Sequence, residues 1–277
     1  MEGEKVKVFM QKIILVGYGN VGKEIEKVLR ANGVAIDLIV KSDNAQEYLK
    51  NLDDQTVVFI SVPSRGDGSE MLHYYTEALN RGTHIVTCEK AILANHWELI
   101  KRHPEKIRYS ATVGGDSGIL PAIRNFQDEI REIRAVVNGT LNYIAQEFAK
   151  GSPKEVVYAD VIKKGFAEPG SRDFDEIIKN ELKDVAYKAA ILANHSRLCS
   201  PASPVDISTQ GFKDREGCVV EIQKGNVEIK FVSRKDTGWF PPDADNVLYI
   251  NGEKIVEGPG AGGRATALRM FKDFKTL

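Results

Sequence analysis

The chain has 277 residues, enough for one large domain or two ordinary domains. Hydrophobic residues make up 42% of it and charged residues 28%, a balance typical of a globular protein with a buried core. The net charge of -1, without a strongly basic half or tail, argues against binding to nucleic acid or to an anionic membrane surface.

The longest apolar runs, such as "IILVG" and "VVFISV", have the length of strands and are far short of the ~20 residues that a membrane span needs. The first residues, "MEGEKVKVFMQK", are charged and contain no apolar signal-peptide region. Cys88, Cys199 and Cys218 are odd in number and widely spaced, which argues against a disulfide framework or a zinc cluster. We therefore expect a cytoplasmic protein without membrane or nucleic-acid partners.

The first part of the chain alternates short apolar strands with helical patterns. One helix is predicted from about Ser69 to Arg81 and another from about Ala91 to Lys101. The predicted strands are, in order, "KIILV", "AIDLIV", "TVVFISV", "HIVT" and "IRYSA". Because these strands are apolar on both faces and alternate with helices, they predict a parallel sheet covered on both sides.

From about Asp116 the pattern changes to a second arrangement of helices and strands. A helix is predicted around Leu120–Glu129, and a helix-rich stretch continues to about His195. Three segments of alternating polarity follow, and the Gly and Asn turns between them predict antiparallel strands. They are "CVVEIQKG", "NVEIKFVSR" and "NVLYINGEKIVEG", and a final helix, "RATALRMFKDF", comes after them. We expect two domains packed closely around a cleft.

The stretch "VGYGNVG" lies between the first strand and the first helix and has the spacing G-x-G-x-x-G. In such a turn Gly17 would allow the sharp bend, Gly19 would let the backbone approach a pyrophosphate, and Gly22 would let the helix pack close to the strand. The phosphates would then lie at the positive end of the helix, beside Asn20 and Val21. The alternative is a glycine-rich turn that serves packing alone.

The end of the second strand, "IVKSD", bears on which dinucleotide binds. An acidic residue there would bind the ribose 2′-hydroxyl of NAD, but Lys41 and Ser42 take that place and Asp43 comes later. Because a lysine and a hydroxyl suit a 2′-phosphate, NADP is favoured and NAD stays possible. Lys41 can equally be read as a plain surface lysine.

The stretch "KDVAYKAAIL" is predicted to form one helix with a charged pair. Asp184 and Lys188 stand one turn apart, opposite an apolar face. That face is formed by Leu182, Val185, Ala186, Ala189 and Ala193. An acid before a base at this spacing is a common ion pair on exposed helices. Ile191 lies on the same side as the pair, however, so a catalytic site is the competing interpretation.

Several longer segments together resemble homoserine dehydrogenases. They are "VTCEKAILA", "ATVGGDSGILPAI", "VVNGTLNYI", "GFAEP", "LKDVAYKAAILAN" and "GPGAGGRATA", and the similarity extends from about Lys12 to about Asp273. The resemblance implies an α/β fold in which a Rossmann-type, doubly wound parallel sheet binds the cofactor and a second α+β domain serves catalysis and dimerisation. It assigns residues 1–115 and the last helix, 264–277, to the first domain and residues 116–263 to the second.

The resemblance also implies the activity, which is the NAD(P)-dependent interconversion of L-aspartate 4-semialdehyde and L-homoserine by a homodimer. Lys188 matches the expected proton donor, and Asp184 matches the aspartate that binds the substrate and orients this lysine. Glu168 matches the acidic residue that receives the substrate ammonium group, and Lys90 matches a lysine near the nicotinamide. Taken singly, Glu168 could cap a turn and Lys90 could be a surface lysine.

Other matching segments imply backbone contacts with the cofactor. Ser61 and Thr87 end the third and fourth strands, where the chain would pass the nicotinamide ribose. Gly260 and Gly262 would bring bare backbone against the cofactor, unless they form only a flexible connector. Relatives often hold a monovalent cation on main-chain carbonyl groups, which leave no side-chain signature, so metal binding stays open.

The chain departs from the family pattern around the expected cleft. Glu89 stands where the family usually has asparagine, and Ser110 stands where it commonly has an acidic residue. The segments 113–121 and 168–184 are longer than the corresponding segments of the family. These departures leave two alternatives, a dehydrogenase of another small amino or oxo acid and a dinucleotide-binding sensor without catalysis. Because the chain stops after the last helix, we expect no regulatory domain and no feedback inhibition by threonine.

Overall fold

The computed structural model describes residues 11–166, 173–204, 208–209, 216–233, 239–260 and 262–277. The first part contains strands β1 (Lys12–Val16), β2 (Leu38–Val40), β3 (Thr56–Ile60), β4 (His84–Thr87) and β5 (Ile107–Arg108). Its helices are α1 (Asn20–Ala31), α2 (Gln46–Lys50), α3 (Ser69–Asn80), α4 (Ala91–Asn95) and α5 (Trp97–Arg102). The strands form one parallel sheet in the order β2-β1-β3-β4-β5, as the apolar strands predict.

The second part is a six-stranded sheet with helices. Its strands are β6 (Glu132–Val136), β7 (Ser208–Thr209), β8 (Glu216–Gln223), β9 (Asn226–Ser233), β10 (Asp245–Ile250) and β11 (Glu253–Pro259). They are arranged in the order β11-β10-β6-β8-β9-β7, antiparallel except where β7 meets β9. The helices are α6 (Ile119–Asn125), α7 (Gly139–Ala149), α8 (Lys154–Lys163), α9 (Phe174–Ser196) and α10 (Gly263–Phe274). In the described ranges, no helix is long and apolar enough to cross a membrane.

The last helix returns to the first sheet. α10 packs against α1, and the rings of Phe274 and Phe59 lie with their centroids 5.5 Å apart. Ala267 and Met270 of α10 are buried in one apolar cluster with Val57 of β3. On these contacts we propose that residues 264–277 complete a first domain of residues 1–115, with residues 116–263 as the second domain.

Two predicted helices are shorter than expected. The helix predicted from Ala91 to Lys101 is broken at His96, whose φ of -121° and ψ of 42° are not helical. The Asn95 side chain donates a hydrogen bond to the Ala91 carbonyl at 2.9 Å and so occupies an acceptor at this end of α4. α6 ends at Asn125, because Phe126 takes an extended conformation and packs against the core. Neither break is marked by proline or glycine, so the apolar pattern alone did not reveal it.

Candidate active site

The three glycines of the turn between β1 and α1 have different surroundings. Gly17 has a φ of +88°, and a Cβ there would lie 2.7 Å from the Ser61 carbonyl oxygen. A Cβ on Gly22 would lie 2.3 Å from the Gly17 carbonyl oxygen, so only glycine lets α1 come this close to the turn. A Cβ on Gly19 would meet no atom within 4 Å. The open side of Gly19, at the beginning of α1, can therefore receive a phosphate group.

A cavity of about 620 Å³ lies at the carboxyl ends of β1, β2 and β3, where the strand order reverses. Its lining includes Gly17, Lys41, Ser42, Arg65 and Glu89. Two basic side chains at the rim and the bare backbone of the turn suit an anionic dinucleotide. Sequence reasoning missed Arg65, although its place directly after the third strand and "SVPS" is a signal that could have found it.

Lys41 lies at the edge of this cavity with its side chain exposed. Its ammonium group is 5.2 Å from the centre of the Tyr18 ring. Asn44 fixes the backbone here, because its side chain accepts a hydrogen bond from the Lys41 N–H at 2.6 Å and donates one to the Ile39 carbonyl at 2.9 Å. Lys41 thus lies at the rim of the cavity, whereas Asp43 is exposed and is not among the lining residues.

Ser61 and Thr87, predicted to meet the cofactor, are both buried. The Ser61 hydroxyl donates to the Gly17 carbonyl at 2.9 Å and so ties the glycine turn to β3. The Thr87 hydroxyl shares a hydrogen bond with the Tyr75 hydroxyl at 2.7 Å and accepts one from the Glu89 N–H at 3.0 Å. The Thr87 side chain is 0% exposed and packs inside the fold, and the backbone contact of Thr87 with the cofactor stays a prediction.

Glu89 is a buried carboxylate that caps α4. It accepts hydrogen bonds from the Ala91 N–H at 2.7 Å and the Ile92 N–H at 3.0 Å. Burial raises the pKa of Glu89, and these two hydrogen bonds oppose the rise. The sequence left open whether Glu89 faces the nicotinamide or pairs with Lys90. In the structure the Glu89 carboxylate is hydrogen-bonded to the backbone of α4, and Glu89 is also one of the residues that line the cavity.

Three charged side chains from the two parts of the chain meet beside the cavity. Asp184 of α9 lies 2.7 Å from the ammonium group of Lys188 and 3.3 Å from that of Lys90. Lys188 also donates to the Val137 carbonyl at 2.7 Å, and the Asn138 side chain donates to Asp184 at 3.1 Å. The Lys188 side chain is only 11% exposed. The Asp184 and Lys90 side chains are 24% and 23% exposed, so the pair belongs to a partly buried cluster rather than to a fully solvated helix face.

The cluster keeps its carboxylate ionised. Burial raises the pKa of Asp184, but the ammonium groups of Lys188 and Lys90 outweigh burial and lower this pKa to about 2. Burial lowers the pKa of Lys90, but Asp184, Cys88 and Glu89 together outweigh burial, so the pKa of Lys90 is raised. One carboxylate between two ammonium groups leaves these three groups with net positive charge, which favours an alkoxide that develops nearby.

The helix that carries the pair is buried on more than one side. Val185 and Ala189, on its predicted apolar face, are buried, and so are Tyr187 and Ile191 on other sides. Ile191 is 0% exposed. Its burial explains why an apolar residue stands on the charged side of the helix.

The first residue of α10 lies beside the beginning of α1. A Cβ on Gly263 would lie 3.4 Å from the Asn20 carbonyl oxygen, and Gly262 has a φ of +105°. Gly260 packs on the buried side chain of Asn246, because a Cβ on Gly260 would lie 2.0 Å from the Asn246 Cγ. The contact of Gly260 and Gly262 with the cofactor stays a prediction, and the observed approach to α1 is that of Gly263.

The family model of homoserine dehydrogenases matches residues 120–274, more than half of the chain. The chain belongs to the homoserine dehydrogenase family. The homoserine dehydrogenase of Pyrococcus horikoshii is 26% identical, with 94% of this chain and 95% of the relative covered. That of Sulfurisphaera tokodaii is 27% identical, with 96% and 98% covered.

Solved structures of homoserine dehydrogenases share the fold. The enzyme of Thermoplasma acidophilum has a TM-score of 0.77 at 21% identity, with 96% of this chain and 98% of that chain covered. A hyperthermophilic archaeal homoserine dehydrogenase in complex with NADPH has a TM-score of 0.76 at 20% identity, with 96% and 97% covered. The predicted family, its enzyme class and the Rossmann-type fold with a second α+β domain are confirmed.

Two departures from the homoserine dehydrogenase pattern have a structural account. Glu89 caps α4, as described above. The Ser110 N–H donates to the buried Asp273 carboxylate of α10 at 2.7 Å, so an acidic group lies directly beside Ser110. Glu168 lies outside the described residues, and its contact with the substrate ammonium group stays a prediction. Within the described ranges, no three His, Cys, Asp or Glu side chains could together hold a metal ion.

Proposed function

We propose that this protein interconverts L-aspartate 4-semialdehyde and L-homoserine, with NADPH as the hydride donor and Lys188 as the proton donor. The observation that carries the proposal is the cluster of Lys90, Asp184 and Lys188 beside the nucleotide-sized cavity. Lys90 connects the two features, because it follows Glu89 of the cavity wall and pairs with Asp184 of α9. Membership of the homoserine dehydrogenase family supports the same activity.

The cavity has groups for each phosphate of the cofactor. The open side of Gly19 and the first N–H groups of α1 can receive the pyrophosphate, and Lys41 with Ser42 can receive the 2′-phosphate. When bound, NADPH supplies a hydride to the aldehyde carbon. The residues of the chain hold the substrate in position and supply the proton.

Lys188 is arranged to deliver that proton. Its ammonium group has three N–H bonds, of which one points to Asp184 and one to the Val137 carbonyl. The third can donate to the carbonyl oxygen of the aldehyde. As the hydride arrives, this oxygen takes the proton and the lysine becomes a neutral amine beside Asp184, which holds it in place until it is protonated again from solvent. In the opposite direction the neutral amine would accept the proton of the alcohol.

The test is a side-by-side assay of NADPH and NADH consumption at saturating L-aspartate 4-semialdehyde. We expect NADPH to be consumed and to be preferred. If NADPH were consumed only with other small amino or oxo acids, the protein would be a dehydrogenase of such an acid, the alternative that the departures at Glu89 and Ser110 suggest. NADPH binding without turnover on any of them would support a sensor without catalysis.

Lys41→Ala is expected to lower the preference for NADPH over NADH. A hydrogen bond to a charged group contributes about 1.5–3 kcal/mol, so loss of such a bond to the 2′-phosphate should lower the ratio of kcat/KM values by about tenfold or more. Lys50→Ala is the matched control, because Lys50 is the last residue of α2, pairs with Glu47 at 2.9 Å and does not line the cavity. An unchanged ratio in Lys41→Ala would remove this lysine from the 2′-phosphate site.

We also propose that the protein is a homodimer and works in the cytoplasm on a small-molecule substrate. These points rest on the family resemblance and on the composition. Sedimentation of the purified chain measures the first of them, and a species with the mass of one chain at micromolar concentration would contradict it.

A further inference from the structure

Tyr187 stands on α9 between the two residues of the charged pair. Its side chain is 4% exposed, and its hydroxyl donates a hydrogen bond to the main-chain carbonyl of Gly66. Gly66 belongs to the segment that connects β3, a strand of the parallel sheet, to α3. The hydroxyl therefore joins the helix of the proton donor to the part of the chain that surrounds the nucleotide.

The segment that Tyr187 holds is a wall of the cavity. Val62, Pro63, Arg65 and Gly68 all line the cavity, and Gly66 has a φ of +52°. Because the segment lies between β3 and α3 in neither a strand nor a helix, its position depends on contacts with other parts of the chain.

A second contact ties the same wall to the same cluster. The Lys90 N–H donates to the Ser64 hydroxyl at 2.7 Å, and the Lys90 ammonium group lies 3.3 Å from Asp184. The wall is thus attached to α9 twice, directly at Gly66 through Tyr187 and indirectly at Ser64 through Lys90. The two contacts lie on either side of Arg65, whose side chain lines the cavity.

We propose that Tyr187 is a positioning residue that holds the cavity wall of residues 64–66 against α9 and so sets the fit of the cofactor beside Lys188. The proposal rests on the proposed function, because it requires that the cavity binds NADPH. Without the hydroxyl, the wall loses its direct attachment at Gly66, and the bound cofactor loses contact with Arg65 and its neighbours. A small displacement of this wall is enough to weaken the contacts that the cofactor makes with it.

The test is Tyr187→Phe, which removes only the hydroxyl. The aromatic ring stays buried, and the Lys183 ammonium group can remain 5.7 Å from the centre of this ring. We expect the dissociation constant and the KM for NADPH to rise by roughly three- to tenfold, the usual net worth of one hydrogen bond between neutral groups. The KM for the aldehyde and the unfolding temperature should stay close to those of the parent.

Tyr249→Phe is the matched control. The Tyr249 hydroxyl also donates to a main-chain carbonyl, that of Trp239 at 3.2 Å, but in the second sheet. We measure NADPH binding by the change in its fluorescence and follow turnover separately. Parent-like NADPH affinity in Tyr187→Phe, or an equal loss in both variants, would overturn the proposal. A parent protein that binds NADPH but reduces no aldehyde would overturn the proposed function and leave the binding comparison intact.

Discussion

Replacement of Lys188 by alanine is expected to lower turnover by about two to four orders of magnitude, the usual worth of a positioned general acid or base. The aldehyde oxygen would then take its proton from water, because Lys90 is the remaining ammonium group of the cluster and is held by Asp184. NADPH should still bind, since Lys188 is not among the residues that line the cavity. Steady-state turnover and NADPH fluorescence, measured on the same sample, check both parts.

Lys179→Ala serves as the control for Lys188→Ala. Lys179 is an exposed lysine on the same helix, so its removal also takes one positive charge from α9. Turnover like that of the parent is expected for Lys179→Ala. If Lys188→Ala also turned over like the parent, Lys188 would not be the proton donor, and another group would have to supply the proton.

Local sequence patterns were enough to predict the parts of the site that come from one segment. The glycine turn follows a strand and opens a helix, and β1 and α1 have these places in the structure. Asp184 and Lys188 are four residues apart, so a helix brings their side chains together whatever surrounds it. The parallel sheet could be predicted for a similar reason, because strands covered on both faces are apolar throughout.

Contacts between distant segments could not be predicted in this way. Nothing in the residues around Lys90 indicates that its partner is Asp184, since the packing of α4 against α9 brings the two together. Tyr187 was passed over for the same reason, because its partner Gly66 lies in another part of the chain. Sequence similarity to the family could name Lys90 as a site residue, but it could not show what this lysine touches.

The role of Glu89 shows a local signal that was available but not used. A carboxylate directly before a predicted helix often accepts hydrogen bonds from the first N–H groups of that helix. Glu89 does so with Ala91 and Ile92. Because relatives usually have asparagine at this position, Glu89 was interpreted as a sign of a different substrate, although asparagine is also a common helix cap. The departure is therefore compatible with an unchanged site.

Gly19→Val is expected to weaken NADPH binding more than a hundredfold while leaving the fold intact. The backbone of Gly19, with a φ of -79° and a ψ of -154°, lies in the extended region that valine also adopts. A Cβ at this position would meet no atom of the chain within 4 Å, so the side chain would enter the space in front of α1. Loss of two hydrogen bonds to the pyrophosphate would cost roughly 3 kcal/mol, which raises the dissociation constant more than a hundredfold.

Two further substitutions separate cofactor binding from packing in the same turn. Gly19→Ala is expected to weaken NADPH binding less than Gly19→Val, because a methyl group fills less of the phosphate space. Gly22→Val should act on the fold instead, since its Cβ would lie 2.3 Å from the Gly17 carbonyl oxygen, and we expect the free energy of unfolding to fall by about 1–3 kcal/mol. Unchanged NADPH affinity in Gly19→Val, with a parent-like unfolding temperature, would show that the cofactor does not approach this backbone and that the glycines serve packing alone.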